Sequence, residues 1–321
     1  MPDTALPLVS IVIPVYNGVN FICDAVDSAL AQTYPQCEVI VVDDGSTDDT
    51  HYLLTTRYGN CIHVLRQSNQ GVSAARNAGI QAAQGKLIQF CDADDLLRSE
   101  KVARSVAVFQ ERPEIVFLYT WCDLVAADGR TLLPGAPRVP LPSGDVFCDL
   151  LNGPQGNFVI TSSVMARRPA LLQTDGFNPQ IPVAQDWDMW LKLASRAPAV
   201  GLNEALVLYR ELPGSLSADP ERLTRDRLTV VQMARHYHGR ERCLDDPAYD
   251  QFEAGRHHQL AVVLWKKGRR AEARQSFRAA VRLDPSPVRQ LLIGLSYVLP
   301  AQLALPLVGA AIRIRERFFP R

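Results

Sequence analysis

The sequence predicts an α/β protein: a mostly parallel sheet flanked by helices, followed by a C-terminal α-helical extension. Three observations carry that prediction. Short apolar runs alternate with helix-length stretches through the first hundred residues, the runs hold few polar interruptions, and beyond about residue 218 long amphipathic stretches take over. Strands unbroken by polar residues and separated by helices imply a parallel sheet covered on both faces. A length of 321 residues suits one large domain with a smaller appendage, and 47% hydrophobic residues provide for a sizeable core.

The first strand is expected at "VSIVIPVYN" (9–17). An acid and two prolines precede it, there is no basic n-region, and the run is too short for a signal peptide or membrane span. Further strands are expected at 37–46, 61–67 and 86–95, with helices at 20–33, 48–58 and 72–84 between them. Asn20 and Asp48 are candidate N-caps, and Gly59 and Gly85 candidate helix stops. A helix at 101–112 and a buried strand at 114–125 follow. The Gly/Pro-rich stretch 126–145 reads as a loop or short hairpin, 158–168 as a strand, 186–197 as a helix and 204–211 as a strand.

The second half of the chain divides further. After a long amphipathic helix, residues 257–285 carry small and apolar residues at Ala261, Gly268, Ala273, Phe277 and Ala280. They resemble one tetratricopeptide-type helical hairpin, and a single copy must pack on the main domain or on a protein partner. The tail 288–321 is apolar, is interrupted by Pro300 and Pro306, and ends in Arg313, Arg315, Arg317 and Arg321. Two prolines favour a segment lying on a membrane surface or packing on protein over a span. The expected domains are therefore 1–217 (halves at about 8–100 and 101–217), 218–287 and 288–321.

Thirty-four basic and 34 acidic residues balance, so charge offers nothing for bulk nucleic-acid binding. The seven cysteines form no CxxC pair and several lie in apolar runs. Reduced core thiols in a cytosolic protein are expected, rather than disulfides or a zinc site. His257 and His258 are expected on the surface.

In parallel sheets ligands bind beyond the carboxyl ends of the strands, and here those ends carry "PVYNG", "VDDGSTDDT" and "DADD", with "NQGVSAARNAGI" opening the third helix. Together these segments resemble the nucleotide-sugar half of a family-2 glycosyltransferase of the GT-A fold. The similarity extends over about 8–215 and is strongest over 8–100. The resemblance implies an inverting transfer from a nucleoside diphosphate sugar, uridine diphosphate first among the donors, to a hydroxyl of a glycan, lipid-linked or protein acceptor. It also implies a divalent metal, Mn²⁺ or Mg²⁺, because an oxygen-liganded cation neutralises the charge building on the leaving diphosphate. Asp94 is then the first choice for the metal, and Asp92 faces ribose or a metal-bound water. Asp95 is a supporting group or an N-cap. Pro14 and Tyr16 would line the base pocket with Asn17, Gly45 and Ser46 nearby. Asp43 or Asp44 would accept from a base N–H, and Arg76 would reach the base or a phosphate.

On the acceptor side "VAQDWDMWLKL" resembles the family's Glu-Asp-Trp-Asp-x-Trp segment, which makes Asp186 the general base. Trp187 and Trp190 are candidates for an acceptor wall or for helix packing, and Asp188 for a structural role. Two positions depart from the family pattern: Gln185 stands where Glu is common, and Leu212 where "YRELPGSLS" would carry His. Arg210 and Ser215 are the residues that could compensate. These departures motivate an alternative, a degenerate non-catalytic nucleotide-sugar-binding or scaffold protein. A sugar nucleotidyltransferase fits less well, for "PVYNGVNF" lacks the glycine-rich basic phosphate loop. Cytoplasmic location, peripheral at an inner membrane face, is the matching expectation.

Overall fold

A computed structural model describes residues 6–135, 140–152, 158–212, 219–238, 243 and 245–285. It divides into two compact units, residues 1–218 with 236–243, and residues 219–235 with those from 244 onward. The predicted tail 288–321 and Ser215 lie outside the described residues.

In the first unit, β1 (Val9–Val15), β2 (Cys37–Asp43), β3 (His63–Arg66) and β4 (Leu87–Phe90) alternate with α1 (Ile22–Leu30), α2 (Thr50–Tyr58) and α3 (Val72–Ala82). These four strands are parallel, in the order β3-β2-β1-β4. Strands β1 and β4 are buried along their whole length, which is why they read as unbroken apolar runs. The order reverses at β1, and the polar ends of β1, β2 and β4 open there on one rim.

Beyond β4 the sheet becomes mixed. Next in the chain come β5 (Leu96–Leu97), α4 (Lys101–Glu111), β6 (Phe117–Val125), β7 (Thr131–Leu133) and α5 (Phe147–Asn152). They are followed by β8 (Met165–Arg167), α6 (Arg168–Leu172), α7 (Gln185–Ala194) and β9 (Ala199–Arg210). Strand β8 runs antiparallel to both β4 and β6, β9 is parallel to β6, and β5 adds antiparallel to β9. The parallel expectation thus describes the first half of the sheet, and β8 is the seam to the second.

Several local expectations shift for identifiable reasons. The region 158–168 forms a 3₁₀ turn at Thr161–Ser163 before the short β8. The Ser163 hydroxyl donates to the Ile160 carbonyl, giving the backbone a turn instead of a ladder. Helix α1 starts at Ile22 after Phe21 rather than at Asn20, because the amides of Asn17, Gly18 and Val19 donate to Ser46, Thr50 and Asp48. Asp48 does accept from the Thr50 amide, yet Asp49 occupies the N-cap. Gly85 lies past the end of α3, at a place where a Cβ would meet the Ser10 amide nitrogen at 2.7 Å.

The cysteine expectation is overturned at one pair. Cys148 and Cys243 form a disulfide, 95 residues apart in sequence, and both belong to the first unit. Spacing alone could not show this. The five other cysteines are free, with only Cys91 fully buried and Cys61 exposed.

The second unit comprises α8 (Pro220–Ala234), α9 (Asp246–Lys266) and α10 (Arg270–Leu283). Asp219 and Asp245 cap α8 and α9 through their side chains, each followed by Pro in the first turn. Gly268 turns α9 into α10 with φ 75°, and Leu228, Leu260, Leu264 and Ala273 pack between the helices. Contrary to expectation His258 is buried against the Phe277 ring, and His257 sits beside Glu253, where burial lowers its pKa. Position 258 faces the hairpin seam, so its face follows from packing and not from polarity. No described helix is long and apolar enough to cross a membrane.

One contact fixes the distance between α3 and the sheet: a Cβ on Gly79 would stand 2.3 Å from Val12 Cγ1. Gly79→Ala should therefore destabilise the first unit by about 1–3 kcal/mol, as overpacking does. Denaturant unfolding should show a lower midpoint, and an unchanged midpoint would mean α3 can move away freely.

Candidate active site

Two loops on the rim are zipped together before any ligand is considered. Asn17, at φ 53°, accepts on its Oδ1 from the amides of Thr47 and Asp48 and from the Thr47 hydroxyl. The amides of 17–19 return three bonds to Ser46, Thr50 and Asp48. Asn and Asp tolerate this left-handed backbone because their short polar side chains bond locally. Gly45, at φ 77°, lies so close to the 67–69 loop that a Cβ would meet the Asn69 amide nitrogen at 2.8 Å.

The two β2 carboxylates are absorbed in this lattice. Asp43 is fully buried; its Oδ1 accepts from the Ser46 amide, and its Oδ2 faces His51 Nδ1 at 3.2 Å and Arg66 Nε at 3.4 Å. Asp44 is also buried and accepts from the Gln67 side chain and the amides of Gln70 and Gly71, which fixes the start of α3. Pro14 is buried, while Tyr16 is 50% exposed and presents an open ring at the end of β1.

Beside these loops lies the acidic turn. Arg76, buried on α3, donates to Asp92 Oδ1 at 2.5 Å, and its guanidinium sits 5.4 Å from the Phe177 ring centroid. Asp92 is partly exposed and Asp94 half-buried. Burial, reinforced by the charge of Asp92, pushes the Asp94 carboxyl up to about 6. Asp95 is buried and bonded: it accepts from the Ser162 hydroxyl at 2.5 Å and the Arg210 amide at 3.0 Å. Burial and the Asp92 and Asp94 charges also drive its pKa up.

Asp186 begins α7 and accepts from the amide of Trp187. Burial raises its carboxyl to about 6, against the opposing pull of Arg76, while the Asp92 charge adds to the rise. Arg76 therefore bonds to Asp92, and its charge opposes the pKa rise of both Asp94 and Asp186. Trp187 and Trp190 are fully buried: Trp187 donates its indole N–H to the Leu150 carbonyl, and Trp190 packs among Phe90, Phe117 and Phe177. Neither ring offers a face to an acceptor. Gln185 is buried beside Asp186 with no hydrogen bond to its Oε1. Asp188 is buried between Lys192 and the Tyr237 hydroxyl. Arg210 is buried over the Phe21 ring, 3.3 Å from Asp24, with a lowering effect on Asp94.

Residues not singled out by the sequence also shape this place. Asn77, next to Arg76, clasps Phe177 twice: its Oδ1 accepts from the Phe177 amide and its Nδ2 donates to the Phe177 carbonyl. Gly176, at φ 77°, makes room for it, since a Cβ would meet Asn77 Oδ1 at 2.7 Å. This explains why "RNAG" and "DGFNP" occur in one chain. Tyr209 is half-buried on β9, and burial first, then the charges of Asp95, Asp92, Asp94 and Asp186, disfavour its phenolate. Its position beside Arg210 was the available signal.

Among the described residues no three His, Cys, Asp or Glu side chains gather as a ready-made metal cage. Asp94, raised first by burial and then by the Asp92 charge beside it, nonetheless fits a cation that brings phosphate oxygens with it, since magnesium-type ions take one or two carboxylates plus substrate phosphates and water. Asp92 and Asp94 are the residues that would hold it.

The sequence pattern of "Glycosyl transferase family 2" matches residues 10–132. The chain is 33% identical over 217 residues to the putative teichuronic acid biosynthesis glycosyltransferase TuaG of Bacillus subtilis, covering 66% of this chain and 82% of TuaG. The chain belongs to glycosyltransferase family 2. An uncharacterized glycosyltransferase of Rickettsia bellii is 34% identical over 60% of this chain, and the match spans only 28% of that longer protein. Chondroitin synthase of Pasteurella multocida is 33% identical over 62% of this chain and 20% of its own length.

The fold is that of GT-A glycosyltransferases. S. aureus TarS 1-349 in complex with UDP superposes with TM-score 0.63 at 18% identity, over 90% of this chain and 91% of that one. The mannosyltransferase PcManGT of Pyrobaculum calidifontis, in complex with GDP-Man and Mn²⁺, gives 0.59 at 19% identity, over 99% and 89%.

Because Asn77 ties the Phe177 backbone to α3 through two hydrogen bonds, Asn77→Ala should cost about 1–3 kcal/mol, the penalty for leaving backbone groups without partners. Amide hydrogen exchange should quicken at Phe177 but not in β1. Protection unchanged at Phe177 would show that the clasp does not hold the loop.

Proposed function

We propose that this protein is an inverting transferase that moves a sugar from a nucleoside diphosphate sugar to a hydroxyl of a glycan or lipid-linked acceptor. The observation that carries this reading is one buried guanidinium, Arg76, that bonds to Asp92 and whose charge reaches both Asp94 and Asp186. One acidic group suits a diphosphate-bound cation, and the other suits a base. TuaG and the synthases among the relatives support polysaccharide assembly as the setting, and the UDP complex of TarS supports a uridine donor.

Each residue has a role that follows from its place. Tyr16 stacks on the base with its open ring, while Asn17, Gly45, Ser46, Asp43 and Asp44 keep the surrounding loops rigid. When bound by Asp92 and Asp94, Mn²⁺ or Mg²⁺ neutralises charge on the departing diphosphate. Arg76 holds the Asp92 carboxylate in place through its hydrogen bond to Oδ1. Asp186 takes the proton from the acceptor hydroxyl. The acceptor oxygen bonds to the anomeric carbon as the carbon–oxygen bond to the diphosphate breaks, and the electron pair leaves with the nucleoside diphosphate. Attack from the side opposite the leaving group inverts the carbon.

Gln185 and Leu212 favour a second reading, a protein that binds the donor without turning it over. We also propose a cytoplasmic site of action, with the tail 288–321 meeting the inner face of a membrane and the helical hairpin available to a protein partner.

Binding of UDP-sugars by calorimetry with Mn²⁺, together with donor hydrolysis and transfer, tests the main reading. Asp94→Ala should abolish metal-dependent donor binding. Asp186→Asn should bind donor as the wild type does and lose transfer by roughly 10²–10⁴-fold, the usual worth of a general base. Wild-type transfer rates in Asp186→Asn would sink the base assignment. Donor binding with no turnover of any acceptor would favour the second reading.

The base works only as a carboxylate, and its pKa is raised to about 6. Below that pH the protonated fraction grows, so kcat, measured at saturating donor and metal, should fall about tenfold per pH unit on the acid side and level off above about pH 7. A profile flat down to pH 4.5 would contradict the role of Asp186.

A further inference from the structure

The four-residue acidic turn Asp92-Ala93-Asp94-Asp95 needs something to set the spacing of its carboxylates, and one buried hydroxyl outside the turn spans it. Ser162 Oγ accepts from the Asp92 amide at 2.9 Å and donates to Asp95 Oδ2 at 2.5 Å. It thus holds both ends of the turn with a single atom. Asp95 also donates its own amide to the Asp92 carbonyl at 3.1 Å, which closes the loop.

Ser162 is itself fixed from two sides. Its carbonyl accepts from the buried Gln89 side chain at 2.8 Å, and Gln89 lies on β4, the strand that leads into the turn. The neighbouring Ser163 carbonyl accepts from Lys101 Nζ at 2.8 Å, an amine buried on α4. The far oxygen of Asp95 accepts from the Arg210 amide of β9. A chain of bonds therefore runs from β4 and α4 through Ser162 to the acidic turn, and on to β9. Ser162, Gln89, Lys101 and Asp95 are all essentially inaccessible to water, so no solvent can stand in for a lost partner.

We propose that Ser162 is the positioning residue of the metal–diphosphate site: it touches neither metal nor donor, and it sets the distance between Asp92 and Asp94. The proposal rests on the reading of that pair as the cation site. A hydroxyl is required because the same atom must accept from an amide and donate to a carboxylate. Alanine does neither. Threonine can do both.

The test compares the full-length wild type with Ser162→Ala and Ser162→Thr, titrating Mn²⁺ in the presence of UDP and measuring UDP binding in EDTA. Ser162→Ala should raise the Mn²⁺ concentration for half-saturation about tenfold or more, the loss expected when buried hydrogen-bond partners are left unsatisfied. UDP affinity in EDTA should stay within twofold of wild type, because the base loops are held separately. Ser162→Thr should recover most of the Mn²⁺ response.

Unchanged Mn²⁺ dependence in Ser162→Ala overturns the proposal. So does an equal loss of Mn²⁺-dependent and metal-free binding in both variants, which is what general damage to the fold would give. Asp95→Asn reads the turn from its other end and keeps the test open should Ser162→Ala not fold: the same rise in Mn²⁺ requirement is expected, and its absence counts against the proposal. If the wild type and Asp94→Ala bind UDP alike at every Mn²⁺ concentration, the cation-site reading has failed and this one goes with it. If only Asp94→Ala loses the metal response, the site stands and the Ser162 role is the part that fails.

Discussion

Everything at the rim depends on the buried Arg76 guanidinium and the carboxylates it faces. Asp92 accepts from it directly, and Asp94 and Asp186 are each stabilised as anions by it. Like charges gathered at a half-buried site repel strongly, because a lower effective dielectric screens them less than water does. Without a fixed cation the group would take up protons or spread apart. Arginine suits this place better than lysine: its planar group can lie on the Phe177 ring while one nitrogen reaches Asp92. The two guanidinium nitrogens with no hydrogen-bond partner show that position, not saturation, is what the burial of Arg76 secures.

That arrangement explains the precision of the neighbouring loops. Arg76 can only meet Asp92 if α3 lies hard against β1, and Gly79 permits that approach. Asp44 fixes the first turn of α3 through two amides, and Asn77 carries the same helix across to the Phe177 loop. The second half is tied in turn through Asp188, Lys192 and Tyr237, and through the Cys148–Cys243 disulfide beside α5. The polar residues at the strand ends therefore divide into two kinds: a majority that hold loops to loops, and a few left facing outward.

This division is what the sequence could not show. Hydrophobic runs and their spacing made β1, β2, β4, α3 and α7 legible, because burial on both faces leaves an unmistakable pattern. Motif resemblance located the acidic turn and Asp186. It could not tell that Asp43 is sealed behind Ser46, His51 and Arg66 while Tyr16 stands open, since both lie at strand ends in the same kind of motif. Nor could it find Ser162, whose partners are 67 and 70 residues away. The His258 error has the same root: a polar residue on a helix is read as exposed until its packing partner, here Phe277, is known. The disulfide joins residues 95 positions apart across a change of unit, a relation that local spacing does not encode.

Asp94 and Asp186 are pushed to the same range, about 6, for partly different reasons, and the difference matters for how the site would work. Burial is the main cause for both, but the charge of Asp92 is the next cause for Asp94, whereas for Asp186 the next effect is the opposing pull of Arg76. On the proposed reading, a cation held by Asp92 and Asp94 would offset the repulsion that adds to the effect of burial on Asp94, and so would lower its pKa. The rise at Asp186 comes chiefly from its own burial on α7, so most of it persists in the loaded state. A base with a pKa just below neutral is a carboxylate at working pH and yet holds a proton better than an exposed aspartate would. On that reading, two carboxyls with similar values in the free protein would separate on loading, Asp94 into an anion and Asp186 into a base, with the Arg76 charge opposing the rise at both.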